Sequence, residues 1–184
     1  ELGGKSPNIV FDDVDVEDRI TFSVLDVFNN SGQTCDAPTR MLVQRSIYDE
    51  AVKVAKRVGD AAKVGDPRVK GDHIGPLVSH IQFDRVQTLI QAGIDEGATL
   101  LAGGVGKPDG VNEGYFVKPT IFADVNNTMR IAREEIFGPV VAMIPFDTEE
   151  EAIKIANDTP YGLAAYIQTP DDAKADRVAR KLRA

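Results

Sequence analysis

Apolar residues recur at helical spacing in several stretches of the chain, separated by polar or Gly- and Pro-rich segments. Over 48–62 the apolar stripe consists of Ala51, Val54, Ala55 and Val58. The same spacing predicts further helices over 16–29, 79–96 and 148–157, a short helix or turn over 129–136, and a helix from Asp171 onward. The segment 64–76 is rich in glycine and proline, which predicts a loop.

Short apolar runs lie between these helices and predict strands. They occupy 7–11, 41–43, 99–101, 115–117, 120–122, 140–146 and 163–168. Helices that alternate with short apolar strands are typical of an α/β domain with a mostly parallel sheet covered on both faces. We therefore expect a three-layer αβα arrangement, and since no linker or repeat divides the chain, a single domain over 1–184.

Composition narrows the possible functions. The 184 residues carry a net charge of −8 without a basic cluster, which argues against a nucleic-acid partner. No apolar run approaches the ~20 residues of a membrane span, so we expect no membrane association. A single cysteine excludes an intrachain disulfide and suits a reducing compartment, so we expect a cytoplasmic protein. The first residue is Glu1 and the last residues look helical, so we expect part of a longer protein.

The only cysteine, Cys35, is the first candidate for chemistry. Its neighbours are Asn, Ser, Gly, Gln, Thr and Asp, which build turns and supply hydrogen bonds rather than an apolar core. Most lone cysteines are buried and inert, but this polar surrounding favours an accessible nucleophile. Such a thiol needs a base or a stabilised thiolate. The two histidines, His73 and His80, could supply a Cys–His pair, although neither lies in a supporting motif.

Two other stretches carry candidate carboxylates. Glu1 precedes Gly3 and Gly4, which allow close backbone approach, so Glu1 could act as a general base on water. Further along, Glu135 and Phe137 precede a Gly-Pro turn and are two residues apart, so extended backbone would place them on one face. A carboxylate and a ring on one face could hold a polar, planar ligand. No arrangement of residues suggests a metal site.

Together these stretches resemble the aldehyde dehydrogenase superfamily. Glu1-Leu-Gly-Gly-Lys-Ser-Pro7 resembles its glutamate signature, Phe28-x-x-x-Gly32-Gln33-x-Cys35 its cysteine signature, and Glu134-Glu-Ile-Phe-Gly-Pro139 its cofactor-ribose motif. Lesser matches lie between and after them, in the family's order: Gly75-Pro-Leu-Val78, Gly114-Tyr-Phe-Val-Lys-Pro-Thr-Ile-Phe122 and Asn157-Asp-Thr-Pro-Tyr-Gly-Leu163. The resemblance covers the whole chain.

The resemblance implies a fold of the family's catalytic-domain type and a role for each candidate. Cys35 would attack an aldehyde to form a thiohemiacetal, which becomes a thioester when hydride passes to NAD or NADP. Glu1 would activate the water that hydrolyses the thioester. Glu135 would bind the nicotinamide ribose, and Phe137 would pack near the nicotinamide. The backbone N–H of Cys35 would form half of an oxyanion hole. The family also implies a homo-oligomer, a dimer or a tetramer, and a small aldehyde substrate.

The chain differs from the family pattern in one residue, and we expect the family's N-terminal half and C-terminal segment to lie outside these 184 residues. Asp36 replaces the neutral residue that normally follows the nucleophile. An anion there should disfavour the thiolate or could select a cationic aldehyde, but we favour an Asp36 that points outward and is tolerated. The family's N-terminal dinucleotide-binding half is not in these 184 residues. We therefore expect the isolated chain to bind NAD weakly and to be inactive as a dehydrogenase, and the sequence does not distinguish NAD from NADP.

Two alternatives remain open at this stage. Cys35 could serve a thiol esterase or acyl-transfer enzyme, whose activity would survive Glu1→Gln and fail with His73→Ala. The domain could also be a non-catalytic assembly module. In that case Cys35 would react with iodoacetamide no faster than an exposed model thiol.

Overall fold

The structure is a computed structural model and describes residues 3–111 and 113–184. Its strands are short, and the central ones are apolar on both faces. They are β1 (Pro7–Val10), β2 (Arg40–Gln44), β3 (Thr99–Ala102), β4 (Thr120–Ala123), β5 (Val140–Phe146) and β6 (Tyr166–Gln168). Its α-helices are α1 (Val16–Phe28), α2 (Arg45–Ala61), α3 (His80–Asp95), α4 (Arg130–Arg133), α5 (Glu149–Asn157) and α6 (Asp172–Ala179).

Within the described residues the strands form one sheet in the order β3-β4-β5-β2-β1-β6. All neighbouring pairs are parallel except β3 and β4, which run antiparallel at one edge. The register at the centre places Ile9 of β1 beside Leu42 of β2, and Leu42 beside Ile144 of β5. Parallel strands need helical connections, which accounts for the helices on both faces.

Successive residues of each strand point to opposite faces, so the sheet has a separate apolar core on each side. Helices α1 and α2 cover one face through residues that include Ile20, Val24, Tyr48 and Ala51. Helices α3, α5 and α6 cover the other through residues that include Val86, Ile90, Ala152 and Val178. This arrangement confirms the expected α/β class with a mostly parallel sheet between helical layers.

Local signals explain where several helices begin. The side chain of Asp15 accepts a hydrogen bond from the Asp18 N–H at the start of α1. Ser79 and Thr148 cap α3 and α5 in the same way, through the N–H groups of Gln82 and Glu151. A capping oxygen satisfies a backbone donor that has no partner within the helix. These caps fix the loops that enter each helix, including the one before α3 that reaches the candidate site.

Most predicted elements are confirmed within one to three residues, and one is wrong. Residues 115–117 were expected to form a strand, but the structure has no strand there. Instead the Tyr115 carbonyl accepts a single bond from the Leu77 N–H, at 2.9 Å. Pro119 has no N–H to donate, so the strand begins only at Thr120. The last helix ends at Ala179, so the helical pattern seen at the final residues is not continued as α-helix.

Candidate active site

The Cys35 loop begins where α1 ends. The helix passes into a 3-10 turn at Asn29–Gly32, in which Asn30, Ser31 and Gly32 all have left-handed backbone, with φ of 49°, 59° and 69°. Residues other than glycine rarely adopt this backbone conformation, so contacts with neighbouring segments must hold the loop in place. Cys35 follows this turn and is exposed to solvent, as the polar surrounding predicted.

Hydrogen bonds hold the loop against the segment that precedes α3. Ser31 donates from its hydroxyl to the Gly75 carbonyl at 2.8 Å, and the Gln33 side chain accepts from the Val78 N–H at 2.9 Å. Asn30 donates from its side chain to the Gln33 carbonyl at 3.0 Å, within the loop itself. These bonds compensate for the left-handed backbone and fix the base of the loop on which Cys35 stands.

Glycines allow the backbones of the three candidate stretches, those around Gly4, Cys35 and Gly138, to approach one another closely. A Cβ built on Gly4 would lie 2.2 Å from the Cys35 carbonyl oxygen, and one on Gly32 would lie 2.1 Å from the Gly138 carbonyl oxygen. A side chain at either position would collide with backbone, so only glycine allows this packing. The Cys35 loop is therefore enclosed between the Gly3–Gly4 segment and the Gly138–Pro139 turn.

Glu135 connects the stretch 134–139 to the stretch that contains Gly3 and Gly4. Its Oε1 accepts a hydrogen bond from the Gly4 N–H at 2.9 Å. A Cβ on Gly3 would lie 2.7 Å from its Oε2, so the carboxylate packs directly on that glycine. The structure thus brings Cys35 and Glu135 to the same short segment. Glu1, the expected general base, lies outside the described residues.

Phe137 has a left-handed backbone, with φ of 55°. The expectation that Glu135 and Phe137 share a face assumed extended backbone throughout, and that assumption is wrong. Helix α3 supports the turn: Gln82 donates from its side-chain amide to the carbonyls of Ile136 and Phe137, at 2.9 and 2.8 Å. Arg85 donates to the Glu135 carbonyl at 2.8 Å. Sequence reasoning missed both residues, because a polar residue on a helix surface looks the same whether or not it binds a distant turn.

Asp36, the departure from the family pattern, is half-buried beside the thiol. Its Oδ2 accepts a hydrogen bond from the Tyr166 hydroxyl at 3.3 Å. Burial and the negative charges of Asp36 and Asp26 together raise the pKa of Tyr166 to about 12. Burial also raises the pKa of Asp26, with Asp36 as the second cause. The surroundings of Cys35 on this side are therefore anionic.

The two histidines are engaged away from the thiol. The His73 ring shares a hydrogen bond with the Asp66 carbonyl at 2.9 Å. His80 lies 3.0 Å from the Asp84 carboxylate and packs edge-on against the ring of Tyr115. Among the described residues no hydrogen bond joins either ring to Cys35. A Cys–His pair gains no support from this geometry.

Lys5, on the same segment as Gly3 and Gly4, is only 1% exposed. Burial is the main reason that its pKa falls from 10.5 to about 7; the charge of Arg40 lowers it further, while Glu135 and Glu134 oppose the fall. Nearby, Arg40 is fully buried and donates to the carbonyls of Lys5, Ile155 and Ala156 at 2.8–3.0 Å. Arg40 thus ties the Lys5 segment to the end of α5.

The described part of the chain gives no support for a metal site or a membrane-spanning helix. Residues 3–111 and 113–184 hold no group of three or more His, Cys, Asp or Glu side chains placed to bind a metal ion. None of the helices in those ranges has the length and hydropathy of a membrane span.

Comparisons with known proteins show which sequences and folds this chain is similar to. A putative aldehyde dehydrogenase from Staphylococcus haemolyticus is 51% identical over the whole chain, which spans 39% of that relative. The crystal structure of an aldehyde dehydrogenase from Bartonella henselae superposes with a TM-score of 0.96 at 55% identity, over 99% of this chain and 38% of that one. Aldehyde dehydrogenase C from Pseudomonas syringae, in complex with NAD+ and octanal, superposes with a TM-score of 0.97 at 47% identity, over 100% of this chain and 38% of that one.

The fold is that of the aldehyde dehydrogenase structures on which the chain superposes. The model of the aldehyde dehydrogenase family matches residues 1–184, and the chain belongs to that family. It spans about two-fifths of the length of the curated relatives it matches.

Proposed function

We propose that this chain is the catalytic domain of an NAD- or NADP-dependent aldehyde dehydrogenase in which Cys35 is the nucleophile. One observation carries the proposal: the only thiol is exposed at the point where the Gly4 segment and the Gly138 turn enclose its loop. A nucleophile needs an accessible sulfur on a fixed backbone. The left-handed turn and its hydrogen bonds supply that fixed backbone.

The proposed chemistry begins at the sulfur. The Cys35 thiolate forms a bond to the aldehyde carbon, and the carbonyl electrons move to oxygen to give a thiohemiacetal. A bound nicotinamide cofactor would supply the hydride acceptor, and loss of hydride from this carbon would leave a thioester on Cys35. Water then adds to the thioester and releases the carboxylic acid and the free thiol. The reacting carbon would stay bonded to the Cys35 sulfur from the attack until hydrolysis.

Two groups would assist at the reacting carbonyl. The Cys35 N–H donates no hydrogen bond to a described residue, so it is available to bind the oxyanion. Glu1 would deprotonate the attacking water, as the family resemblance implies. Glu1 lies two residues before Gly3 in the sequence, and the next residue, Gly4, packs against the Cys35 carbonyl. This proximity along the chain is compatible with the proposed role.

The cofactor would meet Glu135 and Phe137. Glu135 Oε2 receives no hydrogen bond from the described residues, so it can accept one from a ribose hydroxyl. Phe137 is half-buried on a turn held by Gln82 and would pack at the nicotinamide end. These contacts reach only part of a dinucleotide, so the 184-residue chain should bind NAD weakly and lack dehydrogenase activity. Tight NAD binding to this chain in calorimetry would refute that expectation.

The whole protein would act as a cytoplasmic homo-oligomer on a small aldehyde. The full-length protein that contains this chain should reduce NAD or NADP when octanal is supplied. Cys35→Ala should remove that activity, whereas Lys53→Ala, on the exposed face of α2, should leave it unchanged. Full activity in Cys35→Ala would contradict the proposal.

A further inference from the structure

Asp36 directly follows Cys35, and a hydrogen bond holds its carboxylate in place. The residue is half-buried, and its Oδ2 accepts a hydrogen bond from the Tyr166 hydroxyl at 3.3 Å. Tyr166 lies on β6, at one edge of the sheet. An acid that is merely tolerated would point into solvent without a partner. The Asp36 carboxylate is instead fixed at the residue next to an exposed thiol.

A second carboxylate, that of Asp26 on α1, lies close to Asp36. Burial and the negative charge of Asp36 both raise the pKa of Asp26. Burial and the negative charges of Asp36, Asp26 and Cys35 likewise act together on the pKa of Tyr166. Because the interaction between charges weakens with distance, these groups all lie near the Tyr166 hydroxyl. The thiol therefore shares one small region with two carboxylates.

Neither carboxylate has a cationic partner. Among the described residues no Lys, Arg or His side chain lies within ion-pair distance of Asp26 or Asp36. Arg19 is the one basic residue of α1, and it pairs with Asp18 instead. Half-buried like charges without a counter-ion are unfavourable. A cation that arrives with the substrate would relieve this repulsion.

Exposed apolar side chains lie next to Asp26 on α1. Phe22, one helical turn before Asp26, is 52% exposed, and Leu25 is 51% exposed. The Arg19 guanidinium lies 5.5 Å from the centroid of the Phe22 ring, which shows that this ring can face a cation. Aromatic rings together with carboxylates are a usual environment for quaternary ammonium groups. This surface suits a ligand with a positive charge and an apolar stem.

We propose that Asp36 is a specificity-determining residue that selects aldehydes carrying an ammonium or quaternary ammonium group a few bonds from the carbonyl. The inference rests on the proposed function, in which Cys35 attacks the aldehyde carbon. Asp36 takes no part in bond making, and its charge stabilises the bound cation. Tyr166 occupies Oδ2, and Oδ1 receives no hydrogen bond from the described residues, so Oδ1 is the atom that faces the ligand.

The first test measures the charge at the thiol and needs no dehydrogenase activity. The 184-residue chain is treated with two methanethiosulfonate reagents, one with a trimethylammonium group and one neutral. The Cys35 thiolate attacks the sulfur of either reagent, forms a disulfide and releases methanesulfinate. Both reagents react with the same thiolate, so the ratio of the two rates is independent of the pKa of the thiol. Cys35 is the only cysteine, so the rates belong to it alone.

Asp36→Asn should lower the ratio of the cationic to the neutral rate roughly threefold or more. Asn keeps the size and can still accept from Tyr166. Asp49→Asn is the matched control, because it removes one negative charge from an exposed position on α2, beyond the opposite end of β2 from Cys35. It should leave the ratio unchanged. A ratio that Asp36→Asn does not lower, or that both variants lower equally, would overturn the proposal.

The second test uses the full-length protein that contains this chain. One substrate is butanal with a trimethylammonium group on its far carbon, and the other is the neutral isostere with a tert-butyl group in that place. The wild type should favour the cationic aldehyde in kcat/KM. Asp36→Asn should reduce this preference roughly tenfold, mainly through KM, because the charge contributes to binding rather than to the chemical step. A wild type without the preference, or a preference that Asp36→Asn leaves intact, would refute the inference.

Failure of this inference and failure of the proposed function give different results. Full activity in Cys35→Ala would refute the role of Cys35 as nucleophile. Equal oxidation of both aldehydes by the wild type, abolished by Cys35→Ala, would refute only the cationic substrate. The ratio of the reagent rates is measured in either case and decides whether Asp36 attracts a cation to the thiol.

Discussion

The carbonyl oxygen of Cys35 lies over the α-carbon of Gly4, where a built Cβ would stand only 2.2 Å away. The neighbouring atom belongs to backbone, so no side-chain rotation can make room for it. Gly4 also donates its N–H to Glu135. The thiol loop and the glutamate turn are therefore positioned by one glycine.

Gly4→Ala should displace the Cys35 loop. Overpacking of this kind costs about 1–3 kcal/mol, and here the backbone itself must shift. We expect a lower free energy of unfolding in urea and a changed rate of Cys35 alkylation by iodoacetamide.

Gly75→Ala is the control for this change. Gly75 contacts the same loop through its carbonyl, but a Cβ there would meet only Pro67, at an ordinary 3.8 Å. Equal effects of Gly4→Ala and Gly75→Ala on alkylation would show that the close approach at Gly4 does not set the loop position.

Asp36→Asn should make Cys35 more reactive. The change removes the negative charge from the residue that follows Cys35, while Asn keeps the size and can still accept from Tyr166. We expect alkylation at neutral pH to accelerate roughly two- to tenfold. Cys35 is the only cysteine, so the measured rate belongs to it alone. An unchanged rate, together with an unchanged preference between neutral and cationic aldehydes in the full-length protein, would leave Asp36 without a functional role.

Lys5 should make stability depend on pH in a defined direction. Folding lowers the pKa of Lys5 from 10.5 to about 7. Between these values the unfolded chain binds more protons than the folded chain, so this group raises the free energy of unfolding as the pH rises. Below pH 7 its full cost is present, on the order of a few kcal/mol.

The comparison with Lys5→Met isolates that contribution. Urea unfolding at pH 6 and pH 9 should show Lys5→Met gaining stability over the wild type at pH 6 and losing most of that advantage at pH 9. A difference between the two proteins that is the same at both pH values would mean that Lys5 keeps its charge in the folded state.

Arg40→Met should destabilise the domain strongly. The change removes the buried donors to the carbonyls of Lys5, Ile155 and Ala156. Unpaired buried acceptors of this kind cost about 3–5 kcal/mol in total. Arg45→Met removes an exposed ion pair with Asp147, which solvent screens, and should change the free energy of unfolding much less. If Arg40→Met and Arg45→Met lower the free energy of unfolding in urea by similar amounts, the hydrogen bonds from Arg40 to the three carbonyls contribute little to stability.

The sequence predicted the elements well where burial alone decides them. Strand β5 matched its predicted residues, and the helices matched within about one turn, because their apolar stripes face a core. Residues 115–117 looked equally apolar but have no neighbouring strand to pair with in the described sheet. Periodicity reports the burial of side chains and cannot report whether a pairing edge exists.

The close backbone packing at the candidate site was partly predictable from the sequence, whereas the hydrogen bonds that support it were not. Gly3 and Gly4 were predicted to allow close backbone approach, and the contact of Gly4 with the Cys35 carbonyl agrees. The supports from Gln82 and Arg85 could not be predicted, since they join a helix to a turn far along the chain. The left-handed Phe137 was missed for a similar reason: a strained backbone depends on tertiary contacts that local sequence does not encode.

Trapping of the thioester tests the proposed mechanism most directly. The full-length protein carrying Glu1→Gln should be mixed with NAD and octanal, quenched in acid and examined by peptide mass spectrometry. We predict an octanoyl group on Cys35, because the thioester forms but water is no longer activated to remove it. Undiminished turnover by this variant, or NAD reduction that leaves Cys35 unmodified, would contradict the roles assigned to both residues.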